Sequence, residues 1–337
     1  MHVYLDTRVS LFRSRLWPAA QVAGLIDAAD AELPGLLEQG GLALLAGGYA
    51  DDDPRSLEAR IVAILLDETR ILLRPLAGPA RQFLVYWTER FEVSNVKSLI
   101  RAKMAGDSAA ATAACLLDLG YFAHLDADAL MRAEDVTELM RRLERTDYAE
   151  IVRNARQAFE ESHDPFILDA TLDRAYFDGL VRRARAIEAT TGPGLARLMA
   201  DLVDRTNLVW LLRYRFNYGL PPAQVYYLLL TPGYRLTPTL LRRLVGAEDI
   251  AGVLAGLPDE LAAPLAGATA IPEIADRLER RALERAWAEF SRRGEALARA
   301  LAYLILREAG LRDLRGILRG RRLGLARQDI RLAAGVA

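Results

Sequence analysis

The chain has one cysteine, Cys115, in 337 residues, so no intrachain disulfide can form. Its neighbours Ala113, Ala114, Leu116 and Leu117 are apolar, which reads as a small packed hydrophobe, not a reactive thiol. A reducing, cytoplasmic setting fits. Net charge is equally scarce: 44 basic residues against 45 acidic leave −1. That excludes the basic excess with which nucleic-acid binders displace counterions. No run of about eighteen apolar residues occurs, so no spanning helix is predicted. The opening stretch MHVYLDTRVSLFRSRLWP places Asp6 and Arg8 where a signal peptide needs unbroken apolar residues. Only three histidines are present, His2, His124 and His163. They are isolated, with no H-E-x-x-H spacing, and neither the phosphate-loop nor the nucleophile-elbow glycine pattern occurs. No cofactor, metal, nucleic acid or small-molecule substrate is expected.

Apolar residues, at 52% of the chain, are ample for a buried core. They recur at three- and four-residue steps over 55–73, 80–104, 195–214 and 274–318, the period of amphipathic helices. Breakers separate these blocks: Gly47-Gly48 with Asp51 to Pro54, Gly192-Pro193-Gly194, Pro221-Pro222 and Pro232-Gly233. No proline follows Pro272, so the last 65 residues are open to long uninterrupted helices. Alternating strand patterns are hard to find, and the apolar run Val225 to Leu230 is short and lies between prolines. The fold class is all-α.

The sequence repeats. Glu92, Asn95, Leu99, Ile100, Arg101 and Lys103 are matched by Asp204, Asn207, Leu211, Leu212, Arg213 and Arg215. A third copy has Gly310, Asp313, Ile317, Leu318, Arg319 and Arg321. The steps are 112 residues (95 to 207) and 106 residues (207 to 313). A second anchor, beginning at Leu57, Leu172 and Leu278, precedes the Asn/Asp positions by 38, 35 and 35 residues. Two anchors in register across three copies predict three related helical units, 1–106, 107–220 and 221–337. The segments 57–103, 172–215 and 278–321 are expected to be equivalent.

On a helix, Val96, Leu99, Ile100 and Lys103 share one face, as do Leu208, Leu211, Leu212 and Arg215, and Leu314, Ile317, Leu318 and Arg321. Each apolar stripe ends in a cation near a helix C-terminus, where its charge suits the helix dipole. Asn95, Asn207 and Asp313 border the stripe and need hydrogen-bond partners. They read first as devices fixing helix register and second as three equivalent contact points for a partner. Arg101, Arg213 and Arg319 lie off the stripe, facing neighbouring acids or a partner. The arginine-rich stretch from Arg292 to Arg331 reads as a solvated face, or more sharply as a docking surface for an acidic partner or membrane headgroups.

At these residues the chain resembles the C subunit of the V/A-type rotary ATPases and ATP synthases, a family that includes the d subunit of the eukaryotic V-ATPase. The signature is an acid, Asn, apolar positions, Arg-x-Lys/Arg and a glycine: Glu92 to Gly106 and Asp204 to Gly219. Tyr4, Arg8, Val9, Arg13 and Leu16 are similar to the family's opening helix; Leu230, Pro232, Gly233 and Leu236 resemble the link into the third repeat. The third copy departs at Asp313 and Gly310, and the glycine of the second is displaced by one residue. The resemblance implies three helical subdomains in a pseudo-threefold funnel on the cytoplasmic face of the membrane. Its central cavity would receive the foot of the central stalk, its partners being stalk and rotor-ring proteins, with no catalysis of its own. Two other readings compete. Asp51-Asp52-Asp53 invites comparison with magnesium-dependent isoprenoid-type synthases, but no second acidic cluster is evident and the aspartates read as a helix N-cap region. A helical adaptor would share the lack of chemistry, but helical solenoids usually repeat every 33–47 residues or so.

Overall fold

The computed structural model describes residues 2–46, 54–162, 164–231 and 233–334. Asp51, Asp52 and Asp53, with Gly47, Gly48, His163 and Pro232, lie outside the described residues. The periodic blocks become six long helices in three hairpins, and no strand occurs among the described residues. The first hairpin pairs Pro54–Leu73 with Gly78–Ala105, the second Pro165–Thr191 with Pro193–Leu212, the third Ile271–Ser291 with Ala296–Arg322. In each, the earlier helix is termed leading and the later one trailing. Proline sits in the first turn of Gly78–Ala105, Pro165–Thr191, Pro193–Leu212 and Ile271–Ser291, where its missing N–H is no loss. The C-terminal block forms two long helices, Ile271–Ser291 and Ala296–Arg322, and the break between them is where Gly294 takes φ 100°. Glycine ends a helix there without any proline.

Each trailing helix is followed by a left-handed glycine, Gly106, Gly219 or Gly324, at φ 71°, 67° and 67°. From the Asn or Asp position these lie 11, 12 and 11 residues on. The second copy carries a π-helical segment, Arg213–Asn217, before its glycine. A π turn lodges one extra residue, which explains the displaced glycine.

Pairs of short helices precede the hairpins: Ala19–Asp27 and Leu33–Gln39 the first, Ala127–Met131 and Val136–Leu143 the second, Pro238–Leu244 and Ile250–Ala255 the third. Each trailing stripe shares its core with the short helices of the next unit. Val96, Leu99 and Ile100 are buried with Leu130 and Leu139; Leu208, Leu211 and Leu212 with Leu241 and Val253. Leu314, Ile317 and Leu318 are buried with Leu25, Leu33 and Leu37, from the beginning of the chain. At roughly 1.5–3 kcal/mol for each fully buried side chain, these stripes weld successive units together.

The long helices also form a cycle. The first trailing helix packs on the second leading helix, the second trailing on the third leading, and the third trailing on the first leading. Ion pairs give the direction: Lys97–Asp173 (2.8 Å) and Arg101–Asp169 (3.1 Å), Arg197–Glu289 (2.6 Å) and Arg285–Asp201 (3.1 Å), Arg307–Glu68 (3.1 Å) and Arg315–Glu58 (3.3 Å). Numbers rise on one helix as they fall on its neighbour, so contacts between hairpins are antiparallel, like those within them. The six helices therefore alternate, and all three trailing helices finish at the same end of the molecule.

Candidate functional site

The repeated polar residues turn inward. Glu92 is buried, and its Oε1 accepts the consecutive backbone N–H groups of His124 and Leu125, both at 2.8 Å, while Oε2 accepts the Tyr148 hydroxyl at 2.6 Å. Asp204, also buried, accepts the consecutive N–H groups of Arg235 and Leu236, each at 3.2 Å, and the Arg235 Nε at 2.7 Å. In both copies the carboxylate holds the strand of chain that enters the next pair of short helices. Charge-assisted bonds of this kind are the strong ones. Burial, then the nearby Glu89 and Glu92 charges, holds the Tyr148 hydroxyl far above the usual phenol range.

Asn95 and Asn207 make the same two-way bond. Asn95 Nδ2 donates to the Leu117 carbonyl at 2.9 Å and its Oδ1 accepts the Leu117 N–H at 2.8 Å. Asn207 does so with Leu230, at 3.1 and 2.8 Å. The amide thus pins a loop, not a neighbouring long helix as its place beside the stripe suggested. That loop continues to Gly233, where an added Cβ would stand 2.1 Å from the Leu236 carbonyl oxygen.

The cations complete the clamp, and they too reach across instead of serving their own helix end. Lys103 Nζ donates to the Met131 carbonyl at 2.6 Å, and Arg215 Nε to that of Val245 at 2.8 Å. Arg321 donates to the carbonyls of Leu25 and Ile26 at 2.8 Å and Ala28 at 2.7 Å, and pairs with Asp30 at 2.6 Å. Each cation meets the C-terminal end of the next unit's first short helix, the third one returning to the first unit.

The third copy differs because its seam is not covalent. With Gly310 in place of an acid and Asp313 exposed, the seam is held from elsewhere. Glu68 pairs with Arg307 and with Arg15 at 3.0 Å and accepts the Tyr303 hydroxyl. Arg299 bonds Asp6 and the Ser10 hydroxyl. Sequence reasoning missed these residues. The available signal was a pair of arginines, Arg299 and Arg307, set in an otherwise apolar stretch.

Arg101, Arg213 and Arg319 all face solvent. Arg101 pairs with Asp169, whereas Arg213 and Arg319 have no ion pair among the described residues. Within the arginine-rich stretch, Arg312 pairs with Glu279, Arg315 with Glu58 and Arg331 with Asp27, so much of its charge is answered internally. Cys115 is half-buried and donates its S–H to the Ala111 carbonyl, less enclosed than its neighbours suggested. His124 is exposed.

A cavity of about 350 Å³ lies inside the helix cycle, touched by every long helix through Val62, Trp87, Tyr176, Leu198, Leu283 and Ile305. Its charged lining comprises Glu58, Arg90, Asp201, Arg205, Glu279, Glu308, Arg312 and Arg315, of which Glu58, Arg312 and Arg315 stand nearest the end where the trailing helices finish. Arg205 is drawn down to about 10, by burial first and the neighbouring Arg312 second. The hairpin-turn end is filled instead: Leu73, Phe83, Ile187, Leu195, Phe290 and Leu297, one from each long helix, are buried in one core. Among the described residues no three His, Cys, Asp or Glu side chains are grouped to hold a metal ion, and no helix is long and apolar enough to cross a membrane.

Glu89 stands in the first seam, pushed up to about 7 by burial, with Glu92 and Asp147 adding to the shift and Arg183 opposing it. Its folded value exceeds its ordinary one, so its share of stability is full below about 4.5 and lost as pH rises through about 7. Glu89→Gln is expected to flatten the fall in Tm across that window. Unchanged pH dependence in melting curves from pH 4.5 to 7.5 would show that Glu89 does not titrate there.

The sequence family described as ATP synthase (C/AC39) subunit matches residues 5–332. The C subunit of the A-type ATP synthase of Methanocaldococcus jannaschii is 25% identical over 98% of this chain and 85% of its own length. That of Methanothermobacter thermautotrophicus is 30% identical over 62% of this chain and 53% of its own length. That of Methanosarcina barkeri is 22% identical over 97% and 91%. The chain belongs to the ATP synthase (C/AC39) subunit family, as a structural and not a catalytic part of a rotary ATPase.

Proposed function

We propose that this chain is the coupling piece between the central stalk and the membrane rotor ring, a pseudo-threefold funnel seated on the cytoplasmic face of the ring. The observation that carries this reading is the cavity lined by all six long helices, rich in charged side chains and filled at the hairpin-turn end. The units would be 1–106, 107–220 and 221–337, with each seam completed by short helices of the following unit. At about 30 Å³ per water molecule, a space of 350 Å³ takes the tip of a stalk and not its whole girth. The packed helices would carry load with little compression.

The test is binding of the purified chain to the isolated central-stalk proteins and, separately, to the detergent-solubilised rotor ring of the same complex. Both are expected to bind. Leu202→Trp, which fills the cavity from the second trailing helix, is expected to weaken stalk binding about tenfold, roughly 1.4 kcal/mol, and to leave ring binding unchanged. A wild-type chain that captures neither partner sinks the proposal.

A further inference from the structure

At the first two seams the acid and the amide of a trailing helix hold a segment of the next unit. Glu92 and Asn95 hold Leu117, His124 and Leu125; Asp204 and Asn207 hold Leu230, Arg235 and Leu236. At the third seam the same positions are Gly310 and Asp313, and they border a cavity of about 230 Å³. Leu16 and Trp17 line it too. They stand just ahead of Ala19–Asp27, as the clamped pairs 124–125 and 235–236 stand just ahead of Ala127–Met131 and Pro238–Leu244. The cavity therefore takes the place where the other seams carry a bound loop. A Cβ added at Gly310 meets nothing within 4 Å, so the space that an acid fills in the other copies is open here. This space is distinct from the central cavity: among the described residues only Leu283 lines both.

The groove combines apolar walls, Val22, Leu306 and Leu314 with Trp17 and Trp287, with one unanswered charge. Its two arginines, Arg15 and Arg307, are both paired with Glu68. Asp313 is exposed and has no hydrogen bond or ion pair among the described residues. We infer that this vacant third clamp docks an extended segment of a partner chain, one presenting a leucine-sized apolar side chain close to a lysine or arginine. The apolar side chain would fill the open space at Gly310, and the cation would meet Asp313. The carboxylate gives the reason for a cation. Asn95 and Asn207 both donate and accept, whereas an ionised aspartate only accepts and suits a segment that brings its own donors. The two tryptophan rings add to the attraction for a cation. Such a segment would clamp the seam that chain continuity does not close. Neither stalk nor ring is needed for this contact, so its test is independent of the coupling role.

The probe is a fluorescently labelled synthetic peptide of residues 228–236, Leu-Leu-Leu-Thr-Pro-Gly-Tyr-Arg-Leu. It is the segment that the second clamp holds, and it carries both Leu230 and Arg235. Fluorescence anisotropy against the full chain is expected to show binding tighter than about 1 mM. Gly310→Trp, which fills the open space, and Asp313→Lys, which reverses the charge, are each expected to weaken it at least about tenfold. A peptide with glutamate in place of its arginine is expected to bind the wild-type chain about tenfold more weakly and to regain binding to Asp313→Lys. No binding of the 228–236 peptide, or binding that Gly310→Trp and Asp313→Lys leave unchanged, overturns the proposal. Binding that appears only once residues 335–337 are deleted would assign the groove to the chain's own end, and overturns it as well. Unchanged melting temperatures confirm that the variants fold.

Discussion

Glu68→Ala is expected to lower the unfolding free energy by about 3–5 kcal/mol, because it leaves a buried guanidinium without its counter-charge. The Arg307 and Glu68 side chains are 4% and 5% exposed, and their carboxylate also answers Arg15 and the Tyr303 hydroxyl. Once the carboxylate goes, the buried Arg307 guanidinium keeps only the Arg15 carbonyl among the partners it has in the fold. Replacing both partners by apolar residues of similar size, Glu68→Leu with Arg307→Met, is expected to recover most of the loss, since no uncompensated charge then remains. Urea titration reads the shift as a change of midpoint at constant slope. A loss below about 1 kcal/mol for Glu68→Ala would mean that the chain closes on itself by other means.

The second large effect is graded. Asn207 is 0% exposed, and its amide is the partner of both backbone polar groups of Leu230. Asn207→Ala strands two buried groups at about 1–3 kcal/mol each, so a total loss of roughly 2–6 kcal/mol is expected. Asn95 makes the same pair with Leu117 but is half-buried. Water can replace part of what its amide supplied, and about half the loss is expected for Asn95→Ala. Asp313 is exposed, and Asp313→Ala is expected to change stability by no more than about 0.5 kcal/mol. Equal losses in all three variants would show that exclusion of water does not set the value of this position.

The same residues show how far a one-dimensional reading reaches. The acid, the amide and the cation could be picked out because their spacing recurs and because a polar group beside an apolar stripe must find a partner. Which partner could not be read. Spacing along one helix says nothing of the loop that another unit brings against it, so the amides suggested helix register and the cations suggested their own helix ends. In the fold the amides hold Leu117 and Leu230, and the cations hold Met131, Val245 and Leu25. Arg307 and Glu68 lie 239 residues apart, and no local pattern links them.

The sequence by itself determined that this is a helical protein in which one motif recurs three times. Apolar period, breaker placement and internal repetition are local properties, encoded within a few turns of chain. The tertiary structure alone decided that each unit is completed by the next and the last by the first. It also decided that six antiparallel helices enclose a cavity filled at one end, and that a non-covalent seam needs buried charge where the other two have a continuous chain. The physical reason is that burial and pairing across seams depend on which surfaces meet in space, and the period of a helix leaves that choice open.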